Sequence, residues 1–205
     1  MSDAADIEVV APDGDLLLIV GDEKKMQKKL RVSSHTLSST SPVFKAMFGP
    51  HFQEGQQLRG PSNRDPVEIP LPDDDPRAMV LVCHLLHGRQ SPTEDEKLVY
   101  QMDIFEVALI IDKYRVVDVL HWQIRGVFSH WLFDLDEDGY TAFSFVSTVA
   151  AAYLLNCDDA YNRATACFIN HCEDEITELV DLPDMINTMP AQVLREFYHR
   201  MVQRP

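Results

Sequence analysis

Runs with strand character in this chain are confined to the residues before position 72, and the apolar runs after residue 77 repeat at helical spacing. The strand runs are Leu16 to Val20, Leu30 to Val32, and the alternating set Val67, Ile69 and Leu71. Apolar residues two apart face one side of a sheet, whereas those three and four apart line one side of a helix. A sheet this small, loaded at the front and followed only by helices, predicts an α+β fold with its helices segregated.

The local punctuation sharpens that outline. Residues 1–12 are acidic and are expected to lack regular structure, and Asp13-Gly14 is a turn signal. The first two runs form a hairpin, with Gly21-Asp22 closing the first strand and Lys24, Lys25, Lys28, Lys29 and Arg31 lining its solvated turn or edge. Ser33, Ser34 and Thr36 offer caps for a short helix, and Ser41-Pro42 opens another, so two short helices stand in tandem. Gly49 to Asp65 reads as a loop. Pro66, Pro70 and Pro72 confine the third strand to a sheet edge, because proline donates no ladder hydrogen bond. Helices are predicted near 77–87 (ended by Gly88), 104–114, 117–132, 142–155, 160–172 and 191–202.

Charge and cysteine usage narrow the function classes. The net charge of −15 repels phosphate backbones, so no nucleic-acid partner is expected. Between Ser129 and Asp184 only Arg163 stands against twelve acids, so partners of that region would be basic. Cys83, Cys157, Cys167 and Cys172 lie in apolar helical stretches without framework spacing and read as buried, reduced thiols. The acidic N-terminus has no signal-peptide pattern, and no apolar run approaches a membrane span. The expected setting is intracellular, cytoplasmic or nuclear, with no membrane partner.

Taken in order, the quoted elements resemble the BTB/POZ family across roughly residues 13–125. The matching stretches are Asp15 to Val20, Leu30 to Phe48, Phe52-Gln-Glu54, Pro66 to Leu71, Ala78 to Gly88 and Ala108 to Leu120. The pattern His35-x-Leu37-x-x-x-Ser41-x-x-Phe44-x-x-Met47-Phe48 is its most specific part. The resemblance implies a BTB/POZ-like sheet of three or more strands capped by helices, followed by a helical extension over 126–205. Tyr153 to Tyr161 and the closing helix are similar to the tail of short BTB proteins of filamentous fungi. It further implies a protein-interaction module that is a self-associating scaffold or an adaptor for a cullin-type ubiquitin-ligase scaffold. Monomer and homodimer are comparable expectations.

Phe52 and Glu54 resemble the hydrophobic-x-Glu element by which many family members dock that scaffold: an apolar anchor enters a pocket and a carboxylate pairs at its rim. Local packing of Phe52, with Glu54 merely solvated, weighs equally. Asp15 matches the acid that family repressors place near an arginine, but Thr36 stands where that arginine would be. His35 is expected to be a core or capping histidine at the opening of the first short helix. Leu37, Phe44 and Phe48 form one apolar stripe directed at the core.

Other chemistry finds less support. Asp134-Leu-Asp136-Glu-Asp138-Gly139 begins like a calcium loop, which makes a calcium-responsive helical switch the alternative function. Its twelfth position is Phe145 rather than a bidentate glutamate, so an acidic turn between helices is favoured. Cys83, His84 and His87, and likewise Cys167, His171 and Cys172, lack the second ligand pair that zinc needs. No nucleophile elbow, phosphate loop or metalloprotease motif occurs, so neither catalysis, metal nor cofactor is expected.

Overall fold

The computed structural model describes residues 7–24, 26–60, 65–88, 104–134, 142–171 and 199. It is an α+β protein with one four-stranded sheet and, among the described residues, eight helices. The chain divides into two compact units, Met1–Glu96 with Ile110–Leu120, and Lys97–Leu109 with His121–Pro205.

In the first unit, β1 (Ile7–Val9), β2 (Leu16–Asp22), β3 (Met26–Val32) and β4 (Val67–Leu71) lie in the order β1-β3-β2-β4. β2 and β3 are the antiparallel hairpin, with Leu18 opposite Leu30. β4 runs parallel to β2 at the sheet edge, where Pro70 stands opposite Ile19. The edge placement follows from its prolines. Both hairpin strands are longer than expected, because Gly21 continues the ladder in the left-handed region (φ 88°). A side chain there would overlap the Met26 carbonyl and Pro76.

Residues 1–12 were expected to lack regular structure, yet Ile7–Val9 form β1, paired parallel to β3. Three residues are too short for a convincing alternation, and the strand owes its place to an existing edge. Glu8 adds an anchor, its Oε1 lying 2.9 Å from Nε2 of His84.

The helices of this unit are α1 (Ser34–Thr40), α2 (Pro42–Met47), α3 (Gln53–Leu58) and α4 (Pro76–Leu86). α1 and α2 are the tandem pair, capped by Ser33 and Ser41 respectively, with Pro42 at the first turn of α2. α4 starts on Asp75, whose carboxylate accepts from the backbone N–H groups of Arg77 and Ala78, both at 2.9 Å. Gly88, at φ 78°, follows its end. α3 occupies a segment that reads as a loop. Leu16, Leu18, Leu30, Val32, Leu37, Ile69 and Met79 are completely buried and make the core.

α5 (Ile104–Lys113) passes from the second unit to the first. Arg115 follows in the left-handed region (φ 53°) and ends it, so the next helix, α6, is His121–Asp134 rather than starting at Val117. In the second unit α6 and α7 (Ala142–Leu154) pack with α8 (Asp158–His171). Phe145 and Phe168 meet edge to face at 6.1 Å between ring centroids. Asn156, at φ 52°, makes the tight turn between α7 and α8. The helix expected over 191–202 lies outside the described residues except at His199, which is helical.

Candidate interaction site

The tandem helices and α4 form the frame on which Phe52 and Glu54 are displayed. Phe44 and Phe48 are buried, 1% and 6% exposed, and stack at 5.5 Å. Phe44 also stacks on Tyr114 at 4.2 Å between centroids. Leu37, Phe44 and Phe48 are therefore core residues, as their helical spacing predicts.

A buried polar clip holds this frame together. Ser41 Oγ accepts from the backbone N–H of Phe44 (3.1 Å) and donates to the carbonyl of Tyr114 (2.7 Å). The Tyr114 hydroxyl donates to Asp74 Oδ2, and Lys113 Nζ donates to Asp74 Oδ1, each at 2.6 Å. Asp74 is 4% exposed, so its charge is kept inside by these two donors. Burial, followed by the bond to Asp74, drives the Tyr114 phenol well above its ordinary value. Burial, followed by the nearby Asp74 charge, pushes the Cys83 thiol up to about 12. Cys83 consequently remains an inert thiol at neutral pH.

α3 hangs from this frame. Arg59 Nη1 donates to the carbonyls of Phe48 (3.1 Å) and Gly55 (2.7 Å), tying the end of α3 to the end of α2. Gly55 is buried where a Cβ would overlap the carbonyls of Gly49 and Phe48. Glycine at this position lets the two backbones touch. Phe52 is the residue before α3, makes no side-chain cap bond and is 52% exposed. Glu54 lies in the first turn of α3 and is half-buried. Both expected site residues thus stand at the start of one braced short helix, Phe52 as its exposed N-cap and Glu54 in its first turn.

Asp15 has a structural place, whereas His35 is not in the core or capping place expected of it. Asp15 accepts from the backbone N–H of Ser34 (2.7 Å) and from its hydroxyl (2.6 Å), so it fastens the start of α1 to β2. His35 is exposed and neither fills the core nor caps a helix. The cap belongs to Ser33, whose Oγ accepts from Thr36 N–H. The backbone N–H of Ser33 in turn donates to Nε2 of His87, 3.1 Å away, while Nδ1 of His87 lies 2.7 Å from the Cys83 carbonyl. Those contacts require a neutral ring carrying its proton on Nδ1. Burial is the main cause of a lowered His87 pKa; the Cys83 carbonyl opposes it and His84 adds to it.

No group of side chains able to hold a metal ion occurs among the described residues. Residues 135–141 of the acidic turn lie outside the described residues, as does Cys172; Phe145, the turn's twelfth position, is buried in α7. Among the described residues no helix is long and apolar enough to cross a membrane. Comparison with protein-family models and with curated proteins gives no match to this chain.

Asp74, Tyr114, Lys113 and Arg59 were not singled out by their spacing, and the spacing of His87 from Cys83 and His84 pointed only to a disfavoured zinc cluster. Asp74 is hidden within Asp73-Asp74-Asp75, where any of the three could cap α4. Only the packing of α5 selects one for the interior.

Proposed function

We propose that this chain is a protein-interaction module of the BTB/POZ kind, without catalytic activity, that presents Phe52 and Glu54 to a cullin-type ubiquitin-ligase scaffold. The observation that carries the reading is the open ring of Phe52 on the braced helix α3. A large exposed aromatic on a braced segment loses little conformational entropy on burial, which is what an interface anchor needs. The order of elements supports the family part of the reading: hairpin, tandem short helices, edge strand, then helices. In the adaptor variant, the acidic tail over 140–205 is left to engage a basic partner. The scaffold variant retains the module but self-associates instead.

Light scattering of the full chain, alone and mixed with the N-terminal domain of a cullin-type scaffold, tests this. A complex at micromolar concentration that is lost in both Phe52→Ala and Glu54→Lys is the expected result. If the unsubstituted chain forms none, the adaptor variant is wrong. The mass of the chain alone then decides between a self-associating scaffold and a monomer.

A further inference from the structure

The two faces of the sheet are differently finished. Residues paired across neighbouring strands point to the same side. Ile7, Lys29, Ile19 and Pro70 therefore share one row of the face turned away from the core, and Val9, Arg31, Leu17 and Glu68 share the next. Read along the strands, β3 contributes a ridge of two cations, Lys29 and Arg31. Aliphatic residues flank that ridge on both sides, from β1 and from β2. Ile7 and Val9 are 46% and 51% exposed, Ile19, Lys29 and Arg31 are partly exposed, and only Leu17, at 8%, is covered.

The ridge is held ready rather than spent. Nε of Arg31 donates to the carbonyl of Gly14 at 3.0 Å, which orients the guanidinium. Among the described residues neither Lys29 nor Arg31 has an ion pair. In a chain of net charge −15, two unpaired cations between aliphatic stripes form a local exception. Self-pairing is an unfavourable way to cover it, because the ridge would face its own copy with like charge.

We propose that this outer sheet face docks an acidic amphipathic helix of a partner protein. Two residues apart on a strand, Lys29 and Arg31 are about 6.6 Å apart along β3. Carboxylates four residues apart on a helix are about 6 Å apart along its axis. A helix lying along β3 with acids at such spacing sets one carboxylate over each cation, and apolar residues beside that stripe cover the β1 and β2 columns. Sheets bury an open face against a helix in this manner within domains. Glu68, at the margin on β4, opposes the acidic ligand and limits its extent on that side. The surface is distinct from α3 and does not depend on the reading of Phe52.

The probe is a synthetic helical peptide of 20 residues with glutamates at i, i+4 along one stripe and leucines on either side, titrated into the isotope-labelled full chain. Saturable binding is expected, with amide shifts centred on Ile7, Ile19, Lys29 and Arg31. Lys29→Glu, checked for an unchanged circular dichroism spectrum, should weaken it about tenfold, and Glu68→Lys should strengthen it. Raising the salt concentration should weaken it as well. Equal binding by a peptide of scrambled order, shifts centred elsewhere, or no saturation at millimolar peptide overturns the proposal. So does a free chain that is dimeric in solution and becomes monomeric on Lys29→Glu, which would give the face to a second copy.

Discussion

α2 and α3 are neighbours of equal length, six residues each, and they are made by different means. α2 carries its own instructions: Ser41 as cap, Pro42 at the first turn, and Phe44 placed to reach the core. α3 has Phe52 before it with no cap bond, a glycine near its middle, and three glutamines, Glu54 and Leu58 around it. Its brace comes from outside, from Arg59 and from the close approach of Gly55 to Gly49. One helix is written locally, and the other is a consequence of what lies beside it. The first serves the core, and the second leaves its aromatic open.

Substitutions that remove one support at a time can break or sharpen that contrast. The largest effect should fall on α2, where Phe44→Ala empties a site stacked on Phe48 and Tyr114 and costs about 3–5 kcal/mol in urea denaturation. Ser41→Ala removes both a helix cap and a buried bond to the Tyr114 carbonyl, and should cost about 2 kcal/mol by the same measurement. A cost near zero would mean that α2 is no better supported than α3. On α3 itself, Gly55→Ala forces the backbones apart and should cost about 1–2 kcal/mol. Hydrogen exchange at residues 53–58 should then rise while α2 stays protected; equal acceleration of both would show them to be one cooperative piece.

A smaller effect is expected from acid. His87 must be neutral to accept from Ser33, and its pKa is lowered in the folded chain. The unfolded chain therefore binds the proton more readily. This contribution to stability is complete above the ordinary value of 6.5 and declines as the pH falls below it toward the folded pKa. His87→Gln should flatten that part of the stability profile, and an unchanged slope would remove His87 from the account. The smallest effect belongs to Phe52→Ala, within about 0.5 kcal/mol, because the residue is half exposed already. A large loss there would make Phe52 part of the core and withdraw it as an anchor.

The same division runs through the rest of the molecule. The hairpin, the edge strand, the tandem helices and the body of α4 were legible because their signals are local: alternation, proline, serine caps and helical spacing closed by Gly88. The missed elements share the opposite property. β1 has three residues and depends on the edge of β3 and the contact of Glu8 with His84. α3 depends on Arg59 and on a backbone contact. At the site, Leu37, Phe44 and Phe48 were legible as a stripe. His35 was misread, because the histidine that serves the start of α1 is His87, distant in sequence and one turn beyond Cys83.

The sequence by itself therefore determined an α+β chain with a small sheet in front, helices behind and an apolar stripe directed at its core. Short-range sterics and hydrogen bonding act within a few residues and need no partner from afar. The tertiary structure alone decided which aspartate of three is buried, which histidine supports α1, and that Phe52 stands open at the head of a helix. Those outcomes rest on contacts such as Asp74 with Tyr114, forty residues apart, and a bond across that distance exists only once the chain has folded.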